Sequence, residues 1–392
     1  MSGRWFIRPR NFVFMELSLA DLLKALVTSG GSDLHLRVNS KPQIRVHGHL
    51  TPIEEYPVLT PQMTKGLMYS ALDEANKSKF EERWELDFSL GIEGLARFRV
   101  NLFKQKGTVG GVFRVIPHKI LSFDQLGLPQ VVSDLCDKPR GLVLVTGPTG
   151  SGKSTTLAAM IDKINASRPE HILTIEDPIE FVHNHKRSVV TQREVGSDTH
   201  SFADSLKSAL RQDPDIVLVG EMRDTETIEM ALRVAETGHL TFGTLHTNTA
   251  PSTINRIIDV FPSSQQGQIR TQLSMVLEGV LCQTLLPTME GKGRAMAMEI
   301  LVPNSAVRNL IREDKIHQIY SMMQTGSEKF GMQTLNKSLA DLVLARKVSF
   351  ETALGKSQNP EELRDLLGRA GGDTDSSDGG QRPGSRGPAI KR

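Results

Sequence analysis

A glycine-rich segment carries the clearest chemical signature in the sequence. Residues 147–154 read Gly-Pro-Thr-Gly-Ser-Gly-Lys-Ser and match the pattern G-x-x-x-x-G-K-[S/T] at every fixed position. They follow the apolar strand-like run Gly141–Thr146 and open a helical stretch. Backbone N–H groups of such a loop surround phosphate oxygens, its lysine reaches the β- and γ-phosphates, and its last hydroxyl binds Mg²⁺. The segment therefore predicts a nucleoside triphosphate site. Its expected nucleotide-binding residues are Gly147, Pro148, Thr149, Gly150, Ser151, Gly152, Lys153, Ser154 and Thr155.

Two carboxylates are candidates for hydrolysis of that nucleotide. Glu180 ends the acidic segment Thr-Ile-Glu-Asp-Pro-Ile-Glu, and Glu221 follows the apolar strand Ile216–Val219. Parallel sheets place ligands at the carboxyl ends of their strands. Gly220 stands where such a strand usually carries an aspartate, so we expect Ser154, water and Glu221 to contact the metal. Each carboxylate alone also fits a surface charge or a helix cap, but both together with a complete phosphate loop predict a hydrolytic site.

Two histidines flank a predicted strand in the segment Thr-Gly-His-Leu-Thr-Phe-Gly-Thr-Leu-His-Thr-Asn. We expect His239 and His246 to form hydrogen bonds that sense the nucleotide site, although satisfied core histidines remain an alternative. A zinc site would need more ligands at closer spacing. His183 and His185 are isolated, and we expect them to be exposed.

Three arginines lie on predicted strands near residue 100. Arg97 and Arg99 share one strand face because their spacing is two, and Arg114 follows on the next strand. A basic strand face is usually solvated. In a nucleotide motor such an arginine instead clamps the γ-phosphate held by a neighbouring chain.

The composition is that of an ordinary globular protein. The chain has 392 residues, a net charge of +2, 38% apolar residues and 23% charged residues, which excludes a fibrous or mostly disordered protein. With only 5% aromatic residues and no basic run interleaved with them, it gives little support for nucleic-acid binding. No apolar run approaches the roughly 20 residues of a membrane span, and we predict no signal peptide. Cys136 and Cys282 fit a reducing compartment, and we expect both to be buried.

The pattern of predicted elements divides the chain into two globular parts. The first mixes strands with helices and includes one long helix over Thr60–Arg83. The second alternates strands with helices, which predicts an α/β layer with a mainly parallel sheet, and is mostly helical from about residue 264 to 367. The predicted boundaries are an extension at 1–14, an α+β domain at 15–117, a linker at 118–129, an α/β domain with a helical carboxyl-terminal part at 130–367, and a disordered tail at 368–392.

Four segments together resemble the secretion ATPase superfamily. They read GPTGSGKST, TIEDPIEF, DPDIVLVGEMRD and TGHLTFGTLHTN, and they occur in the order and spacing typical of that superfamily. Ser32-Asp33-Leu34-His35 and the segment Ala306–Glu313 favour its branch of type IV pilus retraction ATPases. The resemblance covers about residues 17–367, whereas 1–14 and 368–392 match nothing in the family pattern.

The resemblance implies a PAS-like amino-terminal domain and a RecA-like ATPase domain in a ring of six identical chains. It implies ATP and Mg²⁺ as ligands, and ATP turnover that withdraws pilin subunits from a fibre. The implied partners are an inner-membrane platform protein, pilin indirectly and a second retraction ATPase, with no nucleic acid. The implied location is cytoplasmic, at the inner face of the inner membrane at the pilus base.

The same resemblance assigns roles to individual residues. Glu180 corresponds to the glutamate that activates water, and Glu221 to a glutamate near the magnesium. His239 and His246 correspond to a histidine box. The candidate arginines are Arg97, Arg99 and Arg114, of which motif spacing selects none. The segment expected to couple ATP turnover to retraction comprises Ala306, Val307, Arg308, Asn309, Leu310, Ile311, Arg312 and Glu313.

Four other functions remain open at this point. An accessory retraction ATPase and a pilus assembly or type II secretion ATPase share these segments, but the latter usually have a longer amino-terminal region and many carry a four-cysteine zinc site. A DNA translocase would need a basic groove with aromatic side chains. A nucleotide-binding adaptor without hydrolysis would not need Glu180 and Glu221.

Overall fold

Two compact units make up the described chain. The computed structural model describes residues 17–46, 48–116, 119–291 and 293–372. Unit 1 comprises the chain up to Ile120 together with residues 178–182, and unit 2 comprises Leu121–Asp177 and the chain from His183 onward. The predicted extension 1–14 and the tail from residue 373 lie outside the described residues. Among the helices described, none is long and apolar enough to cross a membrane.

Unit 1 is an antiparallel sheet with helices packed on one face. Alternation of apolar and polar residues along its strands puts Leu34, Phe98 and Phe113 into a common core with helix residues such as Leu22 and Met68. The strand order is β3-β2-β1-β6-β5-β4. Its elements are α1 (Leu19–Thr28), β1 (Asp33–Leu36), β2 (Gln43–Val46), β3 (His49–Pro52), α2 (Pro61–Tyr69), α3 (Glu74–Arg83), β4 (Glu85–Ile92), β5 (Ala96–Gln105) and β6 (Thr108–Ile116).

The single long helix predicted over Thr60–Arg83 is wrong. The first helix ends at Tyr69, and a second begins at Glu74. Asp73 is the cause, because its side chain accepts a 2.7 Å hydrogen bond from the backbone N–H of Asn76 and so caps a new helix.

Unit 2 is built on a mainly parallel sheet with the strand order β13-β12-β7-β11-β10-β8-β9. All neighbouring strands are parallel except β12 and β13. Successive residues of β7 enter different cores on the two faces, with Leu142 and Leu144 in one and Val143 and Val145 in the other. The strands are β7 (Gly141–Thr146), β8 (His171–Glu176), β9 (Val189–Glu194), β10 (Ile216–Val219), β11 (Leu240–Leu245), β12 (Leu277–Pro287) and β13 (Arg294–Leu301).

Helices cover both faces of this sheet and continue beyond it. A satellite core that includes Leu286, Leu339 and Leu363 joins the last helices to β12. A 3₁₀ turn, Ile316–Gln318, lies among them. The helices are α4 (Phe123–Leu126), α5 (Gln130–Cys136), α6 (Lys153–Ser167), α7 (Phe202–Ala209), α8 (Thr225–Glu236), α9 (Ala250–Asp259), α10 (Ser263–Val276), α11 (Ser305–Arg312), α12 (Ile319–Thr325), α13 (Ser327–Phe330), α14 (Leu335–Leu344), α15 (Phe350–Leu354) and α16 (Pro360–Gly372).

Three details of unit 2 differ from the sequence prediction. The region predicted to be mostly helical contains β12 and β13, because the apolar run of β12 has no period that separates a buried strand from a buried helix. The last helix runs to Gly372, so the first residues of the predicted disordered tail are helical. His183 is buried rather than exposed, and its backbone N–H donates to Gln192 Oε1 over 2.8 Å. Both cysteines are buried, as predicted.

Candidate nucleotide site

The phosphate loop joins the end of the buried strand β7 to the first turn of α6. Gly147, Gly150 and Gly152 have φ angles of 137°, 78° and 90°, a region that residues with a Cβ rarely adopt. Gly152 precedes the helix as its N-cap, so Lys153 and Ser154 are its first two residues. The unpaired N–H groups of a helix start and its dipole favour an anion at this position. Loop and helix are therefore shaped to hold phosphate groups.

Lys153 lies across the loop that precedes it. Its Nζ donates to the carbonyl oxygens of Gly147 at 2.8 Å and Pro148 at 3.2 Å. The ammonium is also 3.5 Å from His246 Nδ1. Burial lowers the pKa of Lys153, and the charge of Glu221 opposes that shift. The lysine thus belongs to the same charged group as Glu221 and His246.

Glu221 and His246 meet at the carboxyl ends of the neighbouring strands β10 and β11. Glu221 Oε1 lies 2.9 Å from His246 Nε2. Because an ammonium can only donate, these distances fit the tautomer whose Nδ1 accepts from Lys153 and whose Nε2–H donates to Glu221. His246 therefore connects the phosphate-loop lysine to the acidic residue of β10.

Arg223 is a member of this group that the sequence reasoning did not select. Its Nε lies 2.5 Å from Glu221 Oε1, and its Nη2 donates to Glu221 Oε2 over 2.6 Å. Burial alone would raise the pKa of Glu221, but the hydrogen bond and charge of Arg223, together with the hydrogen bond from His246, lower it below its usual range. Glu221 is thus held as a carboxylate. The spacing of two residues after Glu221 is the signal that could have identified Arg223.

His239 lies at the other end of β11 from His246. Its ring Nδ1 is 2.9 Å from the Val234 carbonyl oxygen and 3.2 Å from Thr237 Oγ1. Its own carbonyl accepts from the N–H of Gly141, where β7 begins. The two histidines of the predicted sensing pair are therefore separated by a strand of six residues, about 20 Å long. Only His246 is joined by hydrogen bonds to the group around Lys153 in the described chain.

The predicted magnesium ligands have the chemistry that this ion requires. Mg²⁺ binds hard oxygen ligands and keeps several waters. Ser154, which carries the hydroxyl, is exposed at the start of α6. Glu221 is a partly buried carboxylate, and its lowered pKa favours the ionised form. Among the residues described, no group of three or more His, Cys, Asp or Glu is placed to hold a metal by protein ligands alone. A hydroxyl and a carboxylate with phosphate oxygens and water would complete such a site.

Glu180 and the three arginines belong to unit 1. Glu180 is exposed on the short segment 178–182. Arg97 Nη2 donates to Ser89 Oγ over 2.6 Å. Arg99 is exposed, and its Cα pairs with that of Arg114 across β5 and β6. Their assignment to a nucleotide remains a prediction from the sequence.

Arg114 is already engaged with a buried carboxylate. Its Nε donates to Asp33 Oδ1 over 2.8 Å, and Ser32 Oγ donates to Asp33 Oδ2 over 2.7 Å. Burial would raise the pKa of Asp33, but the bonds from Ser32 and Arg114 lower it. Arg114 thus stabilises unit 1, and Arg99 is the freer of these two paired arginines to reach another chain.

The predicted coupling segment forms α11, with Val307 and Ile311 buried against the core. Arg308 is not on its solvent face, because it donates to the carbonyls of Ser274 and Met275 at 2.8 and 3.0 Å and lies 2.7 Å from a Glu278 carboxylate oxygen. It therefore joins α11 to the end of α10. The exposed residues of the segment are Asn309, Arg312 and Glu313.

Comparisons with known proteins agree with this fold. The model of the Type II/IV secretion system protein family matches residues 11–351. The type IV pilus retraction ATPase PilT of Pseudomonas aeruginosa is 51% identical over 347 residues, which cover 88% of this chain and all of that protein. The type IV pilus ATPase PilU of the same organism is 39% identical over 355 residues, covering 91% of this chain and 92% of PilU. A crystal structure of the pilus retraction motor PilT with bound ADP has a TM-score of 0.84 and 51% identity, and the alignment covers 89% of this chain and 100% of that one.

The fold and site define a phosphate-loop ATPase with an α+β amino-terminal unit and a RecA-like α/β unit. The chain belongs to the Type II/IV secretion system protein family. The predicted fold class and the resemblance to the secretion ATPase superfamily are confirmed.

Proposed function

We propose that the chain is an ATP-hydrolysing motor that powers retraction of type IV pili and so drives twitching motility. The observation that carries this proposal is 51% identity to PilT over the whole length of that protein. The connection of Lys153, His246 and Glu221 at one sheet edge supports ATP hydrolysis by this unit. Identity to PilU is lower, at 39%, which favours the retraction motor over the accessory ATPase.

The catalytic roles follow from the chemistry of each group. The phosphate loop, with Lys153, binds the β- and γ-phosphates of ATP, and Ser154 with Glu221 would hold Mg²⁺ against them. The ion would neutralise charge on the phosphates. Glu180 is the proposed general base that orients the attacking water, and Arg99 is the preferred candidate for an arginine supplied by a neighbouring chain.

The proposed function also includes an assembly of identical chains and several protein partners. Six identical chains would form a ring at the cytoplasmic face of the inner membrane, at the base of the pilus. The ring would grip an inner-membrane platform protein and through it release pilin subunits from the fibre, with a second retraction ATPase as a further partner. The exposed side of α11 is the proposed coupling surface.

Replacement of Lys153 tests this function in the cell. We expect Lys153→Ala in the chromosomal copy to abolish phosphate release by the purified protein and to give abundant surface pili with no surface motility. Lys163→Ala on the same helix is the matched control, because Lys163 pairs with Asp137 outside the phosphate loop. Loss of pili in Lys153→Ala cells would instead identify an assembly or secretion ATPase. Unchanged pili and motility would contradict a role in retraction.

A further inference from the structure

A buried glutamine from outside every recognised sequence segment contacts the phosphate loop. Gln283 lies on β12, directly after the last residue pair between β12 and β7, Cys282 with Thr146. Gln283 is only 3% exposed, and its side-chain amide nitrogen Nε2 lies 2.8 Å from the carbonyl oxygen of Ser151. A carbonyl only accepts, so the amide nitrogen must face the loop and donate to it.

The loop lies directly against this part of β12. A Cβ on Gly147 would come within 2.2 Å of the Gln283 carbonyl oxygen, and the φ of Gly147 is +137°. A Cβ on Gly152 would lie 3.2 Å from Gln283 Nε2. The backbone of Gln283 thus supports the first glycine of the loop, while its side chain supports the last.

Peptide planarity converts this hydrogen bond into an orientation of the loop. In a trans peptide the C=O and the following N–H point in opposite directions. Because Gln283 holds the Ser151 carbonyl towards β12, the N–H of Gly152 points away from β12. Backbone N–H groups of this loop are the donors that surround phosphate oxygens.

Packing alone does not explain a glutamine at this position. Within the described part of the chain, Gln283 Oε1 is buried and accepts no hydrogen bond. A buried amide oxygen without a partner costs stability, and an apolar side chain of the same length would avoid that cost. The donated bond to Ser151 is what the glutamine adds.

We propose that Gln283 is a positioning residue of the nucleotide site, which orients the Ser151–Gly152 peptide so that its N–H binds a phosphate group of the nucleotide. This inference rests on the proposed nucleotide-hydrolysing function and adds a residue from β12 to it. The ligand chemistry is a di- or triphosphate chain, because the base and sugar play no part in this contact.

The test compares two glutamines with the same local chemistry. Gln283→Met removes the donor and keeps the length of the side chain. Gln333→Met is the matched control, because Gln333 Nε2 donates over 2.8 Å to the carbonyl of Met298, which lies on β13 outside the loop. Titrations of the full-length proteins with ADP, pyrophosphate and adenosine separate phosphate binding from nucleoside binding, and thermal unfolding without ligand reports the cost to the fold.

We expect Gln283→Met to weaken ADP and pyrophosphate binding by about tenfold, the effect of one well-placed hydrogen bond, while adenosine binding stays the same. Gln333→Met should leave the affinities for ADP, pyrophosphate and adenosine unchanged, even if it lowers the melting temperature as much as Gln283→Met does. Gln283→Glu, whose carboxylate cannot donate, should bind ADP no better than Gln283→Met at pH 8.

Two results would overturn the proposal: unchanged ADP affinity in Gln283→Met, or an equal loss for adenosine. Both differ from failure of the proposed function, in which the unaltered protein itself would fail to bind ADP or to release phosphate from ATP.

Discussion

His246 Nε2 and Glu221 Oε1 are 2.9 Å apart, and this hydrogen bond joins the carboxyl ends of two neighbouring parallel strands. The other ring nitrogen of His246 faces the ammonium of Lys153 at 3.5 Å. One imidazole therefore contacts two groups, the lysine proposed to bind phosphate and the carboxylate proposed to bind Mg²⁺. Changes in either group alter the hydrogen bonds of the ring, which gives His246 the geometry of a sensor.

Replacement of His246 should slow ATP hydrolysis. We expect His246→Ala to lower kcat by at least about tenfold, because Glu221 and Lys153 lose the group that sets their separation. His239→Ala is the control, since His239 bonds to Val234 and Thr237 at the other end of β11. The measurement is steady-state phosphate release by both variants at saturating ATP. An equal loss in the two variants would contradict a special role for His246.

Glu299 should make the stability of unit 2 depend on pH. The carboxylate of Glu299 accepts a 2.7 Å hydrogen bond from the N–H of Ala250, and Glu299 is only 1% exposed. Burial raises its pKa from 4.5 to about 7, and the backbone N–H groups of Ala250 and Leu335 only partly oppose this. The folded protein therefore binds a proton that the unfolded chain has released between these two pH values. The contribution of Glu299 to the free energy of unfolding must therefore fall as pH rises through this range.

The comparison of Glu299→Gln with the unaltered protein isolates this effect. The difference in unfolding free energy should change by up to about 1.4 kcal/mol per pH unit between pH 5 and 7 and level off above pH 7. Denaturant unfolding at several pH values measures it, with the exposed Glu290→Gln as control. A difference that does not vary with pH would show that Glu299 keeps one ionisation state throughout.

The sequence identified the parts of the site whose residues are close together in the chain. The strands Gly141–Thr146, Ile216–Val219 and Leu240–Leu245 have the predicted bounds, because the first two are short apolar runs and the third alternates apolar with small or polar residues. Lys153 and His246 came from such local segments, and the fold brings them together.

Contacts between segments that are distant in the chain could not be predicted from the local pattern of apolar and polar residues. Gln283 is 132 residues from Ser151, and nothing in the apolar run around it predicts a strand beside the phosphate loop. His183 was expected to be exposed because a single polar residue carries no periodicity, yet tertiary packing buries it. The amphipathic pattern of α11 could not show that Arg308 turns back onto α10.

Arg308 and Arg312 should separate stability from coupling on the same helix. Arg308→Glu would place a carboxylate beside Glu278 and the end of α10, so we expect a loss of about 3 kcal/mol in unfolding free energy. Arg312 is exposed in the last turn of α11, so Arg312→Glu should cost less than about 1 kcal/mol of unfolding free energy, leave the ATPase rate unchanged and abolish surface motility. The exposed Arg256→Glu on α9 is the charge-reversal control. Normal motility in Arg312→Glu cells would remove this face of α11 from the coupling surface.

In unit 1, replacement of Arg114 should lower stability, whereas replacement of Arg99 should lower the ATPase rate. Arg114→Ala removes the 2.8 Å partner of the buried Asp33 carboxylate, and we expect it to cost roughly 1–2 kcal/mol of unfolding free energy. Arg99→Ala should change stability by less than about 0.5 kcal/mol, because the side chain is exposed. If Arg99 acts on a neighbouring chain, its loss should lower kcat by at least about 10³-fold.

Mixed rings test whether Arg99 acts between chains. Lys153→Ala subunits cannot hydrolyse ATP but carry Arg99, whereas Arg99→Ala subunits keep an intact phosphate loop. Mixing the two inactive proteins should therefore restore part of the ATPase activity, because some sites pair an intact loop with an intact arginine from the adjacent chain. Arg99→Ala mixed with the double variant Lys153→Ala/Arg99→Ala is the control and should remain inactive. Absence of recovery in rings shown to exchange subunits would place the action of Arg99 within its own chain.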